Sequence, residues 1–215
     1  MLYMYIYNIL NMTDIFKLDT SKITNEFITN MSRLLLQNYI ICVNNSKFQI
    51  CEIEFYINSE SHPDTYTHGD VLQKNHGKIY FHRMNGKSYK GGTFKGMDLT
   101  FGNKDMYFGI LIRSMYDIDN KKMICGPCNC VDAILELNNC NNIGEFMKSR
   151  QEPFDAQTDI GFRFVKSDIV FKDEIYAGTR IGLSDKYPEW KNKLYRFASR
   201  INLIKKEKKK LIMLE

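Results

Sequence analysis

The chain has 215 residues, 44% of them hydrophobic and 13% aromatic, and carries a net charge of +5. That composition excludes a disordered chain and suits one large domain with a sizeable core. A mildly basic balance fits a polyanionic partner without requiring one. Residues 1–12 read as an apolar, poorly patterned extension. The first ten lack the basic region and cleavage site of a secretory signal and are too few to span a bilayer. The six cysteines, Cys42, Cys51, Cys125, Cys128, Cys130 and Cys140, are therefore expected to be reduced, in an intracellular protein with no membrane partner.

Residues 14–37 show helical spacing through Ile15, Leu18, Ile23, Phe27, Ile28, Met31, Leu34 and Leu35, with Thr20 or Ser21 as the expected cap. A hairpin follows: a strand over 39–43, a turn at Asn44-Asn45-Ser46, and a long strand over 47–57. Alternation in that second strand puts Phe48, Glu52, Glu54 and Tyr56 on one face and Cys51, Ile53, Phe55 and Ile57 on the other. The second set is wholly apolar and is expected to face the core. Two carboxylates and a phenol are then expected on an accessible surface, where a rigid strand suits general acid/base chemistry. The turn-rich loop that follows carries His62, Asp64, His68 and Asp70.

A strand is expected over 78–83, then the Asn85-Gly86 turn into Ser88 and Tyr89. The stretch 89–102 is rich in glycine and reads as an irregular hairpin or a phosphate-contacting loop, with Lys90 and Lys95 as the contacts. It lacks the Gly-Lys-Ser/Thr ending of a Walker A loop. Residues 107–113 form a buried strand whose closing Arg113 needs a partner. A helix is expected over 128–137, short strands over 162–165, 168–171 and 179–183, and a last strand or helix over 195–204. The lysine-rich residues 205–215 read as a basic tail, leaving 13–204 as one domain. The spacing of Cys125, Cys128 and Cys130 is lopsided for zinc, and no metal or other cofactor is expected.

Taken together, the motifs Glu52-Ile53-Glu54-Phe55-Tyr56, Asp64, His68, Gly77-Lys78-Ile79-Tyr80-Phe81, Leu111-Ile112-Arg113-Ser114, Gly126-Pro127, Arg180-Ile181-Gly182, Trp190 and Tyr195-Arg196-Phe197 resemble, in order, the signature of the alkyladenine DNA glycosylase family. The resemblance covers residues 30 to 200. It implies an α+β fold, a single domain with a curved, mostly antiparallel sheet and flanking helices, acting as a monomer on DNA or another nucleic acid, or on a nucleotide. It also implies roles. Glu54 activates the water that attacks the sugar, Arg113 helps hold that water, and Tyr56 and His68 hold the flipped base from opposite sides. Glu52 and Asp64 support the site, and Arg83, Lys90 and Lys95 meet nucleic acid. The family's duplex-inserting tyrosine has no aromatic counterpart here, its position falling near Met84-Asn85. Acid/base chemistry without that wedge leaves three readings: a glycosylase acting on a modified or damaged base, an enzyme or binder of a free nucleotide, and a non-catalytic nucleic-acid-binding module.

Overall fold

The computed structural model describes residues 14–20 and 22–214; the expected N-terminal extension lies outside them. The helical spacing over 14–37 resolves into two pieces. A short 3-10 turn, Ile15–Lys17, is followed by the helix Asn25–Asn38. Ile15 and Leu18 pack on the same core as the helix from their separate turn, which is why the spacing runs through both. The helix is capped by Thr24, not by Thr20: its Oγ1 accepts from the Phe27 N–H at 3.0 Å.

The strands follow as β1 (Tyr39–Val43), β2 (Ser46–Ser59), β3 (His62–Pro63), β4 (His76–Phe81), β5 (Arg83–Met84), β6 (Ser88–Tyr89), β7 (Met97–Phe101), β8 (Tyr107–Asp117) and β9 (Lys122–Cys125). After the helices Pro127–Leu137 and Ile143–Met147 come β10 (Phe154–Asp155), β11 (Arg163–Lys166), β12 (Tyr176–Gly178), the short helix Pro188–Lys191, β13 (Arg196–Ala198) and β14 (Ile212–Met213). The pairing is antiparallel, and the main sheet runs β10-β4-β7-β8-β2-β13-β12-β14. The result is a single α+β domain. No helix among the described residues is long and apolar enough to cross a membrane.

β2 and β8 form the centre of the sheet, and their ladder is interrupted twice. Ile50 pairs with Met115, Glu52 with Ser114, and Ile53 with Ile112, so Cys51 and Arg113 each stand opposite nothing. These two bulges cancel in register but shift the faces of the strand. Phe48 and Ile50 enter the core cluster together with Ile53, Phe55 and Ile57, while Cys51 stays out of it. The expected face assignment is thus correct from Glu52 onward and inverted before it. Strict alternation put Phe48 with the acids; the bulge returns it to the core.

Four further expectations change. Residues 97–101, read as part of an irregular glycine-rich stretch, are a regular strand, and all five are buried. Residues 168–171 are not a strand, because the Ser167 and Phe171 N–H groups bond to carbonyls of Asn38 and Gln37 at the end of the first helix. Residues 179–183 leave the ladder after Gly178, because Arg180 turns inward to Asp64. Residues 205–214 are not a tail. The carbonyls of Lys206 and Glu207 accept from the buried Arg196, Leu211 is buried, and β14 pairs with β12.

Candidate active site

The polar face of the sheet can be followed across strands by register. Arg196 on β13 stands opposite Glu54, Glu54 opposite Leu111, Leu111 opposite Asp98, and Asp98 opposite Tyr80. Directly opposed residues share a face. One row therefore carries a basic, an acidic, an apolar, a second acidic and a phenolic side chain.

Glu54 is fully buried. Its Oε2 accepts from the Tyr56 hydroxyl at 2.8 Å and from Arg113 Nη1 at 3.2 Å, and its Oε1 accepts from the Ile181 N–H at 2.8 Å. An ionised carboxylate has about four acceptor positions. Three donors leave room for one more, the number a single water needs. Burial raises the Glu54 pKa above the ordinary 4.5, outweighing the opposing pull of Arg113, the Ile181 N–H and Tyr56. The Tyr56 hydroxyl is raised well above its ordinary value, by burial first and then by the Glu54 charge, so it remains a donor.

Glu52 is in a different position. Its Oε1 accepts from Arg196 Nε at 2.7 Å, its Oε2 from the Ser114 hydroxyl at 2.5 Å, and Arg113 Nε lies 3.4 Å away. Two guanidinium groups and a hydroxyl occupy it. The surface expected for the two acids is closed over by the Arg196 side chain, held by the carbonyls of Lys206 and Glu207, on one side and residues 180–181 on the other. They are buried, and each is compensated.

Asp64 does not touch Glu54. It makes a buried bidentate pair with Arg180 at 2.5 and 3.1 Å, and Arg180 also donates to the carbonyls of Phe55 and Trp190. The Arg180 guanidinium sits 4.6 Å from the Tyr56 ring centre, which occupies one face of that ring. Asp64 therefore holds the site indirectly, by fixing the arginine that covers the tyrosine.

His68 belongs to a neighbouring cluster. Its Nδ1 is 2.7 Å from the Tyr80 hydroxyl, and its ring centre is 5.2 Å from that of His82. Burial, then the neighbouring His82 and Lys90, push its pKa down to about 4. The structure thus brings Glu54, Tyr56, Arg113 and Glu52 into direct contact and sets His68 apart from them, on the loop before β4 beside Tyr80 and His82. Of the three expected nucleic-acid contacts, Arg83 is tied to Asp70 at 2.5 and 2.9 Å with Glu152 nearby, which is a structural engagement and not a free one. Lys95 is paired with Asp132. Lys90 is half-buried beside His68.

Several residues of this face were not singled out from sequence. His82 Nε2 is 2.8 Å from Asp98 Oδ1, and Gln73 Nε2 donates to Asp98 Oδ2 at 3.0 Å. The signal for Asp98 was the alternation Met97-Asp98-Leu99-Thr100-Phe101, masked by the glycines before it. Arg180 and Arg196 stood in motifs of the resemblance but nothing local gave them a role, since their partners lie 116 and 144 residues away. Of the cysteines, Cys130 is in the core, while Cys125 and Cys128 flank the start of the helix Pro127–Leu137. Among the described residues no three His, Cys, Asp or Glu side chains are grouped to hold a metal.

No family model matches the chain. It is 37% identical over 204 residues to a protein of Acanthamoeba polyphaga mimivirus named Uncharacterized protein L759, a match that takes in 88% of this chain and 94% of that one.

Proposed function

From a chain that belongs to the same family as the mimivirus protein L759, we propose an N-glycosylase of alkyladenine-DNA-glycosylase-like fold, which releases a modified or damaged base from DNA by hydrolysis. The observation that carries this reading is the meeting of Glu54, Tyr56 and Arg113 around a buried carboxylate with one acceptor position left. Breaking an N-glycosidic bond builds positive charge on the sugar. A carboxylate in a site of low dielectric stabilises that charge and takes a proton from the attacking water. Arg113 and the Ile181 N–H keep the carboxylate aimed, and Tyr56 bonds the same oxygen as Arg113. The target base leaves the stack before reaction. Water must pass the covering segment around Ile181 to reach Glu54, so the reading requires that segment to give way when substrate binds.

The test is a panel of oligonucleotides carrying modified bases, assayed for abasic sites. Glu54→Gln keeps the size, gives up the bond to one of its oxygens because an amide NH2 cannot accept, and removes the base. It is expected to lower release by about 10²- to 10⁴-fold with the fold intact. Equal release by parent and variant removes Glu54 from the role.

A second reading has an observation of its own. A cavity of 360 Å³ is lined by Lys90, Gly91, Gly92 and Lys95 together with residues 141–144, and it suits a free nucleotide. Turnover of a nucleoside monophosphate without any polymer would favour it. Salt-sensitive nucleic-acid binding with no base release would favour a binding module instead.

A further inference from the structure

A second pair of titratable groups lies on the polar face of the sheet, two strands from Glu54. Asp98 is buried, and its two oxygens are bonded to His82 and Gln73. Two glycines make room for this arrangement. A Cβ at Gly109 would stand 2.3 Å from Asp98 Oδ2, and one at Gly96 would stand 2.7 Å from His82 Nδ1. The Asp98 carboxylate holds Nε2 of His82, so Nδ1, beside the closely packed Gly96 backbone, is the nitrogen left to exchange a proton. His82 keeps partial exposure, with its side chain 18% accessible. A buried acid that orients a half-open imidazole is the arrangement of a tuned proton donor or acceptor. The register row places Asp98 two strand spacings from Glu54, about 10 Å at the backbone, with Leu111 between them. A nucleoside spans such a gap.

We propose that His82 is the general acid of this site and that Asp98 positions it, so that Glu54 and His82 work from the two sides of one substrate. This rests on the N-glycosylase reading. The bond between C1′ and the base nitrogen breaks with its electron pair on the base. The proton on His82 Nδ1 moves to the base. Water adds its oxygen to C1′ and gives one proton to Glu54, which returns it through solvent to His82. One water is consumed, and no other reactant is needed. The titratable groups facing His82 are Asp98 from β7, Tyr80 from β4 and His68 from the preceding loop, while Lys90 after β6 donates its backbone N–H to the His82 carbonyl and acts by its charge on His68.

The experiment measures base release from a modified-base oligonucleotide from about pH 5 to 8 for the parent, Glu54→Gln, His82→Gln, His82→Ala and Asp98→Asn, with thermal unfolding of each as a folding control. The parent rate is expected to fall on the alkaline side as His82 loses its proton. In His82→Gln that limb disappears, and the rate in the acidic range drops about 10²- to 10⁴-fold. Asp98→Asn removes the charge that favours the imidazolium, so the limb moves to lower pH. Added imidazole restores part of the rate of His82→Ala, which a purely structural histidine would not allow. An unchanged alkaline limb in His82→Gln, or a folded His82→Ala without rescue, overturns the proposal while leaving Glu54 in place. If the parent releases no base from any substrate, the underlying reading fails and this one with it.

Discussion

Glu52 and Glu54 stand two residues apart and share Arg113, yet they differ in how much positive charge they meet. Glu52 is held by Arg196, Arg113 and Ser114, while Glu54 meets one guanidinium, one hydroxyl and one N–H. The difference has a thermodynamic consequence. The folded state holds the Glu54 pKa above that of the unfolded chain. A carboxyl raised in this way supports the fold while it is protonated in both states. That support is lost as pH rises from the ordinary value of 4.5 through the raised folded value. Glu54→Gln is neutral throughout, and Arg113 keeps Glu52 as a partner. Its melting temperature is therefore expected to gain on the parent as pH rises through that window, and the gap to level off above it. Thermal unfolding at a series of pH values measures this; a gap that widens toward acid contradicts it. A variant that escapes this loss of stability and is less active marks a residue kept for chemistry.

At the scale of elements, the site is assembled by segments that are not strands. Residues 179–183 depart from the sheet to deliver Arg180 to Asp64 and the Ile181 N–H to Glu54. The Arg180–Asp64 pair has both side chains fully buried. Removing one partner leaves the other charge without compensation, so Arg180→Ala is expected to cost about 3–5 kcal/mol, read by urea denaturation. A cost below ~1 kcal/mol, the range of surface pairs, would contradict the packing. This is also where the sequence was least legible. The strand over 39–43 and the Asn85-Gly86 turn were readable, because hydrophobic alternation and left-handed turn residues are local signals. Asn85 and Gly86 adopt φ of +50° and +67° as that turn requires. Arg113 was legible because a charge closing an apolar strand demands a partner, and Glu52 and Glu54 were legible through alternation and the resemblance, though as surface acids and not as buried ones. Arg180, Arg196 and the Asp98–His82 pair were not, because their meaning lies in partners brought up by the fold.

For the molecule as a whole, the net charge of +5 gives little warning of where the charges are spent. Arg83, Arg113, Arg180 and Arg196 are all engaged inside the domain, so the basic excess available to a polyanion is carried mainly by surface lysines, with the exposed Arg163. The last residues contribute to the fold as well. Deleting residues 205–215 removes β14, the buried Leu211 and the two carbonyls that accept from Arg196. The truncated chain is expected to unfold at lower temperature than the parent and to exchange the backbone amides of β12 and β13 faster, measured by hydrogen exchange. Equal protection would return this segment to the role of a tail.

The paired bulges at Cys51 and Arg113 bear on how such a chain tolerates insertion and deletion. Losing Cys51 alone would turn every residue on one side of the gap through half a pleat. Either Phe48 and Ile50 would trade places with Gln49, or the acids would swing into the apolar layer. Loss of residue 113 alone does the same from the facing strand. Neither length change is neutral by itself, and the compensating pair would delete the arginine that Glu54 uses. The centre of this sheet is thus locked in length, and descendants of the chain can vary it by substitution far more readily than by adding or dropping a residue.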